Sequence, residues 1–204
     1  MINFRQLLSF VIPILFLAGC STLPESQTSV EWQAHQVKLD SITQYQAAGK
    51  LGYISPEQRQ SLNFQWKHSP EHGQLRMTTF IGQTVLNLTM TPTGAIVNTY
   101  DNQTLANPSA DVLIEQLTGL TIPVEQLQDW LLGNPTSADE FQLSENNTLS
   151  YLTKRVGNQQ WQLQYLSYQD VEYLGDTLPL PNKIKLIHQD TSINLVITKW
   201  TLTP

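Results

Sequence analysis

The sequence predicts a mainly β (α+β) fold, a strongly curved antiparallel sheet with helices packed on its concave side. Three observations carry this expectation. Apolar and polar residues alternate through several short runs separated by turn formers. Two stretches in the middle of the chain switch to helical spacing and carry start and stop signals. Only one cysteine is present, Cys20, so no internal disulfide staples the chain and the fold rests on its core. With 40 % hydrophobic residues and five tryptophans, that core can be built.

The elements follow in chain order. Thr28 and Glu31 have capping-box spacing and open a helix with Val30, Ala34 and Val37 on one stripe and Leu39 and Ile42 beside it. From Tyr45 the period changes to two. Leu62, Phe64 and Trp66 share one face of 59–67, against Ser61, Asn63 and Gln65. Leu75 and Met77 repeat the device, and Leu86, Leu88 and Met90 oppose Val85, Asn87 and Thr89. Pro56, Ser69-Pro70, Gly82 and Pro92-Thr93-Gly94 punctuate these runs, which reads as a meander with one wet face. The alternation defines two faces without saying which one points inward. Residues 95–100 and 103–105 continue the meander.

The middle is helical. Asn107 is placed to cap, Pro108 to fill the first helical position, and Gly119 to end a helix carrying Val112, Leu113, Ile114 and Leu117. A second short helix runs from about Pro123 to Gly133 with Val124, Leu127, Trp130, Leu131 and Leu132. Strands then resume. Residues 149–155 and 161–168 flank a Gly157-Asn158 hairpin signal, and 183–189 and 192–202 flank Asp190-Thr191. Leu178-Pro179-Leu180-Pro181 reads as a stiff connection between these pairs, because proline cannot donate to a ladder.

The N-terminus has a separate character. Arg5 and the α-amino group make a positive n-region, and residues 7–17 make an apolar stretch too short to span a bilayer. Leu17-Ala18-Gly19-Cys20 then resembles the lipobox of bacterial lipoproteins. That resemblance implies cleavage of 1–19 and acylation of Cys20, with 20–28 as the tether and 29–204 as a single domain. Two or three acyl chains, at about 0.8 kcal/mol per buried methylene, give effectively permanent attachment. Ser21 is not the aspartate associated with inner-membrane retention, so the expected destination is the periplasmic face of the outer membrane.

Composition excludes several classes. Without Arg5, ten basic residues face 17 acidic ones, a formal −7. This balance argues against nucleic acid as a partner and against a polybasic grip on anionic lipid. No catalytic motif or cofactor-binding glycine loop is present. His68 and His72 flank Ser69-Pro70 and read as a solvated turn; Asp139-Glu140 read as a solvated loop. No metal or cofactor is expected. The unusual local feature is Thr78-Thr79-Phe80-Ile81-Gly82-Gln83, two large apolar residues where turn chemistry favours polar ones. Either Phe80 or Ile81 folds back as the last core residue of its strand, or the pair forms an exposed apolar tip.

Several segments together resemble the LolB family of outer-membrane lipoprotein receptors. They are residues 44–55, 117–124, 128–135, 157–161 and 180–186, in order across nearly the whole mature chain. The resemblance implies an open, incomplete antiparallel barrel with helices covering an apolar cavity, and no enzymatic activity. It further implies a receptor that takes acylated lipoproteins from the periplasmic carrier LolA and inserts them into the outer membrane. Its insertion loop falls at Phe80, Ile81 and Gly82. Cavity candidates are Phe64, Trp66, Met77, Leu86, Leu88 and Met90 from the strands, with Leu117, Trp130 and Trp161. The expected partners are acylated lipoproteins, LolA and outer-membrane lipid, with the protein acting as a monomer. Two other classes compete. A scaffold lipoprotein binding envelope proteins would have a filled core, and a lipid-processing enzyme would need a converged Ser-His-Asp site.

Overall fold

A computed structural model describes residues 24–98 and 104–203. Cys20 and the leader before it lie outside the described residues. Helix α1 (Trp32–Ser41) is followed by β1 (Gln44–Ile54), β2 (Arg59–His68), β3 (Gly73–Thr78), β4 (Thr84–Thr91), β5 (Gly94–Asn98) and β6 (Thr104–Asn107). Helices α2 (Ala110–Thr118) and α3 (Val124–Trp130) interrupt. Then come β7 (Glu140–Leu143), β8 (Leu149–Val156), β9 (Gln159–Tyr173), β10 (Asp176–His188) and β11 (Thr191–Thr203).

All strands join one antiparallel sheet in the order β6-β5-β4-β3-β2-β1-β11-β10-β9-β8-β7. Two meanders thus meet where β1 pairs with β11, and the sheet stays open between β6 and β7. Both edge strands are four residues long and largely exposed, a length that offers little to a pairing chain. Alternation settles the inner face: Leu62, Phe64, Trp66, Leu75, Met77, Leu86 and Leu88 are all buried, and the helices lie on that side. At the central seam the β1–β11 register shifts between Ala48 and Gly49. A Cβ on Gly49 would sit 1.9 Å from the Val196 carbonyl oxygen, so this crossing requires glycine.

Four local expectations are corrected. Glu31 itself caps α1, accepting from the backbone N–H groups of Gln33 and Ala34, while the Thr28 hydroxyl is spent on Asp170. Ser109 caps α2, and Asn107 instead accepts from the Ser109 N–H. Glu140 opens a short strand, and Asp139 accepts from Arg155 N–H and pairs with Lys154. The largest departure is Leu178–Pro181, which lies inside β10. Pro179 and Pro181, two apart, turn their nitrogens to the same side, from which β11 has already parted, since β10 pairs with β11 only over 183–188. That edge needs no donor. The Pro181 carbonyl instead accepts from Trp200 Nε1 at 3.1 Å. The 15-residue β9 and 13-residue β10 are joined by Leu174-Gly175, with φ of 52° and 83°, the signs that a tight I′ hairpin turn needs.

Candidate functional site: the concave face and its helical cover

The inner face of β2–β4 is apolar because Leu62, Phe64, Trp66, Leu75, Met77, Leu86, Leu88 and Met90 fall at alternate positions, and the pleat sends those side chains one way. Helices α2 and α3 close over it with Leu113, Ile114, Leu127 and Leu131 buried. A cavity of about 420 Å³ remains where the cover is incomplete. Trp66 and Met90 form part of its wall, with Val124 and Gln128 of α3 opposite and the β2–β3 and β4–β5 turns at its rim. Pockets of a few hundred Å³ are the usual size for small-molecule ligands, and here the rim is polar, with His68, Glu71 and His72.

Helix ends explain how the cover is held. The last turn of a helix leaves carbonyls without partners, and two inward tyrosines from the sheet serve them. Tyr45 Oη donates to the Gln128 carbonyl at 2.5 Å and accepts from Trp66 Nε1 at 3.0 Å. Tyr165 Oη donates to the Trp130 carbonyl at 3.0 Å. Burial pushes both phenols well above the ordinary tyrosine range, so both remain neutral donors. Between the helices, the Gln58 amide donates to the Gly119 carbonyl at 2.9 Å. The helix N-termini are clasped reciprocally. Glu125 of α3 accepts from the Ala110 N–H and the Ser109 hydroxyl, and Asp111 of α2 accepts from the Glu125 N–H. Burial, with Glu125 nearby, raises the Asp111 carboxyl to about 6. None of these polar partners was singled out in the sequence. For the two tyrosines the only trace there is a phenol at an inward position of its strand.

The predicted residues separate into three settings. Phe64, Trp66, Met77, Leu86, Leu88, Trp130 and Trp161 are buried on the inner side, and Met90 is partly buried against them. Of these, Trp66 and Met90 reach the cavity wall. Leu117 lies on the outer side of α2, about one-third exposed. Phe80 and Ile81 are 89 % and 70 % exposed, so neither folds back into the core. They occupy the middle of a turn closed by Gly82 N–H to the Thr79 carbonyl at 3.0 Å. Gly82, at φ 85°, returns the chain to β4, and the Asn63 side chain also holds the Thr79 carbonyl. The apolar pair therefore projects from a well-braced base.

Among the described residues no group of histidine, cysteine and carboxylate side chains is arranged to hold a metal, and no helix is long and apolar enough to cross a membrane. An open curved sheet with a helical cover over an apolar interior defines a class of protein built to shelter hydrophobic groups. Solved structures share the architecture. A LolA superfamily protein from Nitrosomonas europaea superposes with a TM-score of 0.54 at 11 % identity, covering 86 % of this chain and 95 % of that one. A putative outer-membrane lipoprotein-sorting protein domain from Vibrio parahaemolyticus gives 0.53 at 8 %, covering 84 % and 90 %. Sequence is more specific. The model of the family described as outer membrane lipoprotein LolB matches residues 43–200. Relatives named outer-membrane lipoprotein LolB are 59 % identical in Vibrio vulnificus (92 % of this chain, 93 % of the relative) and 52 % in Vibrio cholerae (98 % of each). The chain belongs to the LolB family, and is thus an outer-membrane lipoprotein of lipoprotein transport and a receptor, not an enzyme.

Proposed function

We propose that this protein receives acylated lipoproteins from LolA beneath α2 and α3 and inserts them into the outer membrane through the Phe80–Ile81 turn. In this reading residues 1–19 are removed, the acylated Cys20 and the tether to residue 28 hold the chain, and 29–204 acts as one monomeric domain. The observation that carries it is a continuous apolar inner face under a helical cover held by apolar packing and by hydrogen bonds from Tyr45 and Tyr165, with a cavity open at Trp66 and Met90. Acyl chains exposed to water cost about 0.8 kcal/mol per methylene. The cover must therefore yield to them while they stay dry. Methionines at 77 and 90 adapt to varied chain positions. No covalent step is needed, because each hand-over requires only that free energy fall. An apolar fluorescent probe bound to the protein tests this. It should be displaced by an acylated lipoprotein and retained in the presence of the same protein without its acyl chains. Equal displacement by both would overturn the cavity reading in favour of a protein-binding scaffold.

A further inference from the structure

The outer face of the sheet separates charge in a way that the net balance conceals. Strands β1, β2, β3, β4 and β11 contain no aspartate or glutamate, yet carry Lys50, Arg59, Lys67, Arg76 and Lys199, all exposed. Strand β10 adds Lys183 and Lys185 on the same face. The pleat explains the placement, since inward positions are apolar and every charge is sent outward. Lys50 and Arg76 flank a shallow hollow of about 360 Å³, and Lys67 and Lys199 flank an adjoining one of about 260 Å³. Asp111, Glu115, Glu125 and Asp129 are on α2 and α3 and Glu71 is at the cavity rim, while the carboxylates of the sheet itself, Asp170 and Glu172 of β9 and Asp176 of β10, lie beyond the cationic strands.

The N-terminal segment leaves the domain at this cationic face. Glu25 pairs with Lys183 at 3.1 Å, the Ser26 N–H donates to the Tyr168 carbonyl at 2.8 Å, and the Ser26 and Thr28 hydroxyls donate to Asp170. Five residues from Cys20 to Glu25 reach at most about 18 Å. Strand register then runs from Lys183 through Val196, Lys50 and Asn63 to Thr78, two residues before Phe80. Tether exit, cations and apolar turn therefore share one row of the sheet.

We propose that the outer face of the sheet rests on the anionic phospholipid headgroups of the membrane that anchors the protein, with α2 and α3 turned to the aqueous side. This goes beyond the receptor reading while sharing its acyl anchor at Cys20. An acidic protein would also be drawn to these cations. The bilayer is favoured because the tether exit and the exposed apolar turn lie at the two ends of the same cationic row. Each basic residue near an anionic surface gains about five-fold in partitioning, an attraction that fades within about 8 Å at physiological salt. The carboxylates of the cover are repelled by the same surface, so the field orients the domain as well as holding it.

The test uses the full acylated chain reconstituted on vesicles of phosphatidylcholine alone or of phosphatidylcholine mixed with the anionic lipid phosphatidylglycerol. Amine labelling read by mass spectrometry should find Lys50, Lys67 and Lys199 protected several-fold on the anionic vesicles relative to Lys154. Protection should be lost in 1 M salt, where screening shortens to about 3 Å. Equal labelling on both vesicles would overturn the proposal. So would a Lys50→Gln, Lys67→Gln, Lys199→Gln variant whose uptake from LolA falls while its vesicle contact is unchanged, since that assigns the face to the carrier. Flotation separates this from the anchor. Protein that floats with phosphatidylcholine alone is anchored whatever its lysines do. Protein that floats only with anionic vesicles lacks the anchor but supports the face, and protein that floats with neither overturns both.

Discussion

Tyr45→Phe removes one oxygen and tests how the cover is held. That oxygen bridges Trp66 Nε1 and the Gln128 carbonyl, at 3.0 and 2.5 Å, inside a fully buried site. Phenylalanine fills the same space, so no cavity forms, but a donor and an acceptor are left buried without partners. Each such group costs about 1–3 kcal/mol, giving about 2–6 kcal/mol together. In a domain of this size 1 kcal/mol moves the melting temperature by about 2–4 °C, so a fall of roughly 4–24 °C is expected. Because Gln128 lies in α3, the loss falls on the cover, and an apolar probe should enter faster as well. Tyr53→Phe is the internal comparison. Its hydroxyl accepts only a long bond from the Thr121 N–H at 3.4 Å, so its cost should stay below about 1 kcal/mol. A Tyr45→Phe melt within 1–2 °C of the parent, or no faster entry of the probe, would refute the account of the helices as a cover pinned by tyrosine.

Two further outcomes test the turn and the clasp. Ile81→Glu should melt like the parent, since the side chain is 70 % exposed. Delivery into vesicles should fall by roughly 10- to 100-fold, the equivalent of the 1.5–3 kcal/mol an isoleucine gains on entering an apolar phase; normal delivery would remove the turn from the mechanism. Asp111 has its folded pKa raised from 3.8 to about 6, so its protonated form favours the fold, and its contribution is lost as pH rises through about 6. Asp111→Asn keeps the acceptor without the charge. Thermal melts should therefore show a gain at pH 7.5 of at most about 3 kcal/mol that disappears by pH 4, and an equal gain at both pH values would exclude the carboxylate as its source.

Most strands were legible because a half-buried strand writes its orientation into every second residue, as Leu62-Asn63-Phe64-Gln65-Trp66 does. Leu178–Pro181 reads as a connection, although it lies in β10, because the rule for proline is local. It forbids a missing donor where a neighbour needs one, and only the tertiary path of β11 shows that no neighbour is there. Short β7 lay below any periodicity signal, having four residues and an exposed edge. For the site, apolar identity was readable at Trp66, Met77 and Met90, whereas the tyrosine bridges to α3 were not. An inward Tyr45 is visible in the alternation, but nothing near residue 45 names residue 128 as its partner.

Sequence by itself determined the composition of each face, the two meanders, the helical interruption and the Thr79–Gly82 turn with its apolar pair. These follow from local chemistry: side-chain alternation, capping and the conformational freedom of glycine. Tertiary structure alone decided which face turns inward, how far the cover closes, and where Glu25 meets Lys183. It also decided what the charges mean. A formal −7 argues against anionic surfaces when summed over the chain, yet strands β1–β4 and β11 gather Lys50, Lys67, Arg76 and Lys199 on one face and carry no carboxylate. Net charge is a sum over residues, whereas the field at a surface depends on where folding puts them.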